Sequence, residues 1–403
     1  AGFLLALPWQ GLGQELDSNG LPAALTAQLQ FQDDEVTIAA KAVETAAGMS
    51  VNDGGWDSFF ADQAVFHTIS GRRQALPVTR AEADALGKAV LEEAAAIIAT
   101  YRLPEEAKEC YLALWRLLPD RCRERSGALS DLFPSFPLMP DRCMWDQARI
   151  AAAYCTTYDE EAGGFRPAIF AFNLSSVQEY VFTARRTQDF WAGSFMQSYI
   201  VWEALKAVAD AFGPDTVIYP DLHGQPLADL FLRERHVAVA EPASRERQIA
   251  GFPNVFNVLL PQTAGDTTGQ LVEQAIADAR DAVFRAVDTM LQSVITSDGA
   301  LHGKIDEAVS DIKNPQLRAQ VADALRCLQS GTRLSREWQT IWERQRSHFL
   351  TEDCFWICLP WVQDTDGDPR QWLYSHYESL LPTAGGRRSA YHDYRLVADY
   401  MRH

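Results

Sequence analysis

The sequence has no long apolar segment, and it has an excess of acidic over basic residues. No hydrophobic run reaches the ~18 residues that a membrane-spanning helix needs, so we expect no contact with a membrane. The 36 Lys and Arg residues against 54 Asp and Glu give a net charge of −18. Such a charge argues against non-specific nucleic-acid binding through the whole surface. A local basic groove, or RNA contact through basic partner subunits, stays open.

Cysteine and histidine are sparse, which limits the metal sites that the chain can build. The seven cysteines are scattered and odd in number, so they predict free thiols and a cytoplasmic protein rather than a disulfide framework. Cys354 and Cys358 have no second pair nearby, although structural zinc needs four close ligands. Only His67, of eight histidines, precedes residue 223. We therefore expect no metal site.

With 403 residues, 47% hydrophobic and 22% charged, the chain predicts a globular protein of two to three domains. It does not begin with Met, so we expect residues upstream. An acidic, Gly-containing stretch over 159–164 marks a boundary. We predict a mostly helical domain over 1–160, a second domain over 165–362, and the start of a following helical or linker region over 363–403.

The apolar periodicity predicts an α+β protein. We expect helices over 36–47, 79–101, 103–118 and 150–155, and then strands over 168–172, 216–219, 254–261 and 354–360. Between the first two strands, we predict one helix from Ser175 or Ser176, a break over 187–194, and a second helix that Ser194 caps. A long helix over 268–291, a helical insertion over 300–330 and a helix over 335–349 follow. This order is typical of a ferredoxin-like domain.

A run of short motifs within 168–229 carries a family resemblance. The segments VQEYVFTARRTQDFWAGS and IYPDLHGQPL resemble the first palm-like domain of the large subunit of type III CRISPR effector complexes, and the Cmr (type III-B) branch most. The matching positions are Val177, Gln178, Ala184, Arg185, Asp189, Trp191, Gly193, Ser194, Pro220, Asp221, Leu222, Gly224 and Pro226. So long a run is far more specific than a single glycine motif.

The resemblance also implies an HD-type nuclease domain at the start, but its ligands are missing. Ala6 and Leu7 stand where the family has a metal-binding His and Asp, and Arg142 and Gln147 replace two further histidines. Ala and Leu offer no donor to a metal, so we predict a degenerate HD-like domain. The family's cyclase turn, Gly-Gly-Asp-Asp, is absent, and the aspartates of the 364–368 loop lack the spacing of a calcium loop.

The resemblance implies a scaffolding subunit of an RNA-guided antiviral complex. It would contribute one wall of a nucleotide-binding palm pair, with Gln178, Asp189, Gly193 and Ser194 facing a weakly bound or shared ATP. Its partners would be other Cmr subunits, especially the one that caps the 5′ tag of the guide RNA, with guide and target RNA bound through the complex. We assign no catalytic residue and no metal ligand to the chain.

Two alternatives stay open at this point. The chain resembles only the first half of a family member, so it can be the N-terminal part of an active cyclic-oligoadenylate synthase whose catalytic palm lies beyond residue 403. It can also be a stand-alone nucleotide-binding palm protein. Whether the chain is an enzyme depends on which of these holds. Both serines, 176 and 194, can also be simple helix caps.

Overall fold

A computed structural model describes residues 2–16, 20–29, 33–47, 56–62, 64–66, 73–135, 142–174, 184, 186–295, 309–310, 312–329, 340 and 354–360. His67, Gln178, Ser175, Ser176 and the 364–368 loop lie outside these residues, as does the predicted helix over 335–349 apart from residue 340. Helices and antiparallel sheets occur together, which confirms the α+β class. In the described part of the chain, no helix is both long and apolar enough to cross a bilayer.

The first part of the chain is mainly helical, as predicted. Its helices are α1 (Gly2–Leu5), α2 (Ala23–Leu29), α3 (Asp33–Ala47), α4 (Trp56–Asp62), α5 (Arg80–Ile98), α6 (Ala107–Ser126), α7 (Ala128–Leu132) and α8 (Met144–Cys155). Two hairpins accompany them, β1 (Ala64–Phe66) with β2 (Arg73–Ala75), and β3 (Tyr158–Asp159) with β4 (Gly164–Phe165). The β3–β4 hairpin lies at the predicted boundary.

A capping box precedes α5, which begins one residue after the predicted start at residue 79. The Glu82 amide donates to Thr79 Oγ1 at 3.2 Å, and the Thr79 amide donates to Glu82 Oε2 at 2.8 Å. These two bonds satisfy amides that the first helical turn leaves without partners. The next helix, α6, was predicted to end at Leu118 but continues through Pro119 to Ser126. Its buried face against α5 outweighs the proline's preference to end a helix.

The second part of the chain forms a four-stranded antiparallel sheet. Its strands are β5 (Pro167–Leu174), β6 (Val217–Tyr219), β7 (Val255–Pro261) and β8 (Cys354–Pro360), in the spatial order β6-β7-β5-β8. Helix α9 (Thr187–Phe212) connects β5 to β6, and α10 (Pro226–Glu234) follows β6. Helices α11 (Gly265–Ile295) and α12 (Pro315–Gln329) lie between β7 and β8. All four predicted strands are confirmed, and so are the long helix and the helical insertion.

Helix α9 corrects the sequence prediction. It runs without interruption from Thr187, so the predicted break over 187–194 is wrong and Ser194 does not cap a second helix. A glycine costs about 1 kcal/mol in a helix interior, but Gly193 is buried and the same helix buries Val201, Leu205 and Val208. The burial of that face outweighs the local preference of the sequence.

One hydrophobic core joins the helical part to the sheet. It includes Leu118 and Trp145 from the first part and Phe170, Phe256 and Val272 from the second. On the helical side of the sheet, Phe170 stacks on Phe256 and on Trp356, with ring centroids 6.4 and 5.5 Å apart. The domain limits at 160, 165 and 362 stay predictions.

Candidate functional site

Three of the four predicted nucleotide-facing residues lie in the first turns of α9. Asp189 is exposed in the first turn, Gly193 is buried and Ser194 is half-buried. Asp189 and Gly193 are four residues apart, so they share one side of the helix. At about 100° per residue, Ser194 lies about 140° around the helix from Asp189. The structure therefore brings Asp189 and Gly193 together and turns Ser194 away from both.

A tryptophan inside a family motif is expected to pack beneath the sheet, and for Trp191 this expectation is wrong. Its side chain is 48% exposed on the surface of α9. Its ring is nearly parallel to that of Phe195, with the centroids 6.0 Å apart. Truncation of Trp191 therefore does not remove a core side chain, and the cost of ~3–5 kcal/mol that applies to a buried tryptophan is not expected here.

The four positions compared with an HD metal site lie in the first helical part. Ala6 and Leu7 are 2% and 3% exposed, in the hydrophobic core just after α1. Gln147 is fully buried on α8, and its Nε2 donates to the carbonyl of Val43 at 3.3 Å. Arg142 Nη1 donates to the carbonyl of Ala46 at 3.0 Å. Arg142 and Gln147 therefore both bond to the last turns of α3.

The chemistry of these four side chains does not fit a metal ion. Ala6 and Leu7 are apolar, Arg142 is a cation, and the Gln147 amide already bonds to a carbonyl. Divalent ions at an HD site need imidazole and carboxylate donors. Among the described residues, no three His, Cys, Asp or Glu side chains form a group that could hold a metal ion.

Sequence reasoning missed a cluster of charged residues between α6 and α10. Arg116 Nε and Nη2 donate to Asp229 Oδ1 and Oδ2 at 2.6 and 2.9 Å, and Arg116 also donates to Asp120. His223 Nε2 lies 3.2 Å from the carbonyl of Arg116. Burial lowers the pKa of His223, and the charges of Arg149 and Arg116 add to that effect. The sequence does contain one signal for this cluster, since Arg116 lies between Trp115 and Leu118 on a helix whose apolar residues are buried.

Another buried carboxyl group, that of Asp215, lies in the short turn before β6. Asp215 is 7% exposed, and neither of its carboxylate oxygens has a partner among the described residues. Burial raises the pKa of Asp215 well above its usual value, and the charge of Asp221 adds to the shift. Asp221 itself lies 3.4 Å from Arg149 Nη1. Burial therefore disfavours the charged carboxylate of Asp215 relative to that of an exposed aspartate.

The second face of the sheet carries polar side chains. Side chains alternate between faces along a strand, so Asn173 points away from the helical side that Phe170 and Phe172 occupy. Asn173 pairs with the exposed Phe355 of β8, and Asn257 of β7 pairs with Ala171 on the same face. This face offers amide donors and acceptors around an apolar surface, a composition typical of ligand-binding surfaces.

A cavity of about 440 Å³ lies between α9, α10 and α11. Its lining includes Tyr199, Phe231 and seven charged side chains, namely Glu203, Lys206, Asp210, Glu234, Arg235, Asp278 and Arg285. Burial raises the pKa of Tyr199 to about 12, and the charge of Glu203 adds to the shift. No local sequence pattern marks this cavity, because its walls come from three separate helices.

The resemblance to a type III-B large subunit agrees with comparisons to known proteins. Residues 169–291 match the family model of the CRISPR-associated protein Cmr2, N-terminal. The CRISPR system Cmr subunit Cmr2 of Pyrococcus furiosus is 22% identical over 316 residues, which are 73% of this chain and 32% of that protein. The chain therefore spans about a third of the length of this curated relative.

Two solved structures are similar to the whole chain. A chain of the type III-B Cmr-beta complex in the apo state matches with a TM-score of 0.50 and 10% identity, over 100% of this chain and 40% of that one. A chain of Cmr-beta bound to cognate target RNA matches with a TM-score of 0.48 and 13% identity, over 100% and 39%. The first of these shows a similar fold. The chain is thus similar to the N-terminal part of the type III-B large subunit.

Proposed function

We propose, from this similarity to the N-terminal part of Cmr2, that the chain is a large-subunit component of a type III-B RNA-guided complex. The observation that carries the proposal is the match of residues 169–291 to the Cmr2 N-terminal family model. In such a complex the chain acts as a scaffold for other Cmr subunits, among them the one that caps the 5′ tag of the guide RNA. Guide and target RNA are its partners through the complex.

In this proposal, the region 165–362 forms the palm-like domain. The spatial strand order β6-β7-β5-β8, with every neighbouring pair antiparallel, supports a ferredoxin-like domain. The sheet face that carries Asn173 and Asn257 is a suitable wall for a nucleotide pocket that a second palm closes. We keep Gln178, Asp189, Gly193 and Ser194 as the proposed ATP-facing residues, with a weak affinity of this chain alone.

The first part of the chain is a degenerate HD-like domain without nuclease activity in this proposal. The buried Ala6 and Leu7 and the carbonyl bonds of Arg142 and Gln147 support it, because none of these side chains offers a free donor to a metal ion. In this proposal, no residue of the chain carries out the family's nuclease reaction.

Co-expression of the tagged chain with the other Cmr subunits and a guide RNA tests the proposal. We expect the chain to purify with them and with the RNA. If the other subunits assemble and the chain purifies alone, the proposal is wrong.

ATP binding by the assembled complex tests the nucleotide site separately. The loss of a hydrogen bond to a charged group predicts a decrease in affinity of about tenfold for Asp189→Ala or Ser194→Ala. Gln188→Ala, an exposed change in the same helical turn as Asp189, is the matched control. Equal ATP affinity in all three variants, with assembly intact, contradicts the site.

A second candidate is the N-terminal part of an active cyclic-oligoadenylate synthase. The coverage of 32% of the curated relative favours it, since a catalytic palm can lie in the remaining length. Synthesis of oligoadenylates from ATP by the natural full-length protein, and its loss when a Gly-Gly-Asp-Asp turn outside these residues is mutated, is the result expected for this candidate.

A further inference from the structure

One side of α9 carries a row of three aromatic rings, of which Trp191 is exposed and the other two are half-buried. Trp191, Phe195 and Tyr199, which we call the aromatic stripe, follow each other at intervals of four residues and therefore lie on one side of the helix. The rings of Trp191 and Phe195 are 14° from parallel, and those of Phe195 and Tyr199 are 26° from parallel with centroids 6.4 Å apart. The opposite side of α9 is buried in the core.

The aromatic stripe leads into the cavity of about 440 Å³ between α9, α10 and α11, because Tyr199 belongs to both. After Tyr199, the same side of α9 continues with Glu203 and then with Lys206 and Asp210. The surface thus changes along one helix from apolar rings to charged groups. A ligand that fits both parts needs apolar and charged groups in one extended molecule.

Two of the four carboxylates that line the cavity have no ion pair within the part of the chain that the structure describes. Asp210 pairs with Arg235 and lies 2.8 Å from Lys108 Nζ, and Glu203 lies 2.9 Å from Lys206 Nζ. Glu234 and Asp278 have no ion pair among the described residues, and Asp278 Oδ1 only accepts from Gln274 Nε2 at 2.9 Å. Arg285 is the third cation of the lining, and Lys108 beside Asp210 is a fourth cation at its edge. Glu234 and Asp278 are therefore distinguished by their lack of a close ion pair within the described ranges rather than by an excess of negative charge.

We propose that the aromatic stripe and this cavity bind a polypeptide segment of another protein in which an arginine or lysine is flanked by apolar residues. The basic side chain enters the cavity towards Glu234 and Asp278, and the apolar residues pack on Trp191 and Phe195. Aromatic faces and carboxylates both favour a cation, and aromatic anchors carry much of the energy of protein interfaces. The net charge of −18 and the carboxylates of Glu234 and Asp278 disfavour the phosphates of RNA. The proposal does not depend on the proposed function.

Fluorescence polarisation with the full chain tests this surface. The probes are a labelled short peptide that alternates leucine and arginine, the same peptide with glutamate at each arginine position, and a labelled oligouridine. We expect the arginine peptide to bind, and Trp191→Ala to weaken its binding about tenfold, as for an anchor residue. Phe190→Ala is the matched control, because Phe190 is 47% exposed but lies about 100° around the helix from Trp191.

A second variant pair tests the charges. Glu234→Gln combined with Asp278→Asn removes two carboxylates from the cavity, and we expect it to weaken binding of the arginine peptide about tenfold. Glu160→Gln combined with Glu161→Gln makes the same change in charge at two exposed residues of the β3–β4 hairpin and is expected to leave binding unchanged. The proposal is overturned if the arginine peptide does not bind, if the glutamate peptide or oligouridine binds as tightly, or if each variant behaves like its control.

Discussion

The ion pair between Arg116 of α6 and Asp229 of α10 is expected to stabilise the fold. The two side chains are 12% and 13% exposed, and Arg116 neutralises both Asp229 and Asp120. The two carboxylates raise the pKa of Arg116. Removal of one partner of a buried pair typically costs about 3–5 kcal/mol. Because these side chains retain some exposure, we expect Arg116→Leu to lower the free energy of unfolding by about 3 kcal/mol, at the lower end of that range.

Asp229→Asn is expected to cost less than Arg116→Leu. Asp120 still neutralises Arg116 in that variant, so only the charge of one hydrogen-bonded acceptor is lost, at about 1–2 kcal/mol. Substitution of Arg116 by leucine instead leaves Asp229 without an ion pair among the described residues and leaves Asp120 with Arg123, whose Nη1 lies 3.7 Å away. A larger loss of unfolding free energy for Arg116→Leu than for Asp229→Asn would therefore show that Arg116 stabilises both carboxylates.

Urea unfolding followed by circular dichroism measures both effects. Arg102→Leu is the matched control, because Arg102 pairs with Glu106 at 2.9 Å while its side chain is 85% exposed, and such surface pairs contribute about 0–1 kcal/mol. If Arg116→Leu shifts the unfolding midpoint no more than Arg102→Leu does, the pair does not stabilise the fold as described. Equal losses for Arg116→Leu and Asp229→Asn would refute the sharing of Arg116.

Three further predictions concern packing, pH and nuclease activity. A Cβ atom at Gly269 would lie 2.2 Å from the Trp356 indole, so Gly269→Ala should separate α11 from β8 and cost about 1–3 kcal/mol; an unchanged melting temperature would contradict the close packing. Asp215 has a raised pKa in the folded state, so the native protein holds a proton that the unfolded chain loses above about pH 4, and stability falls as pH rises. Asp215→Asn should lack this decline and be more stable than the natural chain at pH 7 in thermal melts; a parallel pH profile would contradict the assignment. The purified chain should not cleave single-stranded DNA with manganese, nickel or cobalt, because Ala6, Leu7, Arg142 and Gln147 offer no metal site; cleavage that a substitution within residues 1–150 abolishes would show that reasoning to be wrong.

Several elements of the fold could be predicted from local sequence because their signals are short-range. The hydroxyl of Thr79 and the carboxylate of Glu82 cap α5 within one turn, and bulky apolar runs correctly predicted β5 and β8. The prediction failed at 187–194, where Gly193 and Ser194 favour a break. There the buried face of α9, which packs along α11, decides the structure.

The candidate site, too, could be predicted only in part from the sequence. The motif residues around Asp189 and Ser194 were recognisable in the sequence, but their directions depend on whether one helix or two helices carry them. The 140° between them follows from the uninterrupted α9. Trp191 belongs to the same motif, and only the packing of α9 decides that its ring is exposed.

The sequence by itself determined the α+β class, the strand order along the chain, the resemblance of the 168–229 region to a type III-B large subunit, and the missing metal ligands at positions 6, 7, 142 and 147. Composition, periodicity and motif spacing are local properties, and they carry this information directly. The tertiary structure decided the Arg116–Asp229 pair, the burial of the Asp215 carboxyl and the cavity beside Tyr199. Each of these depends on residues brought together by packing, as in the pair that joins positions 113 residues apart, and no local pattern encodes which distant side chains meet.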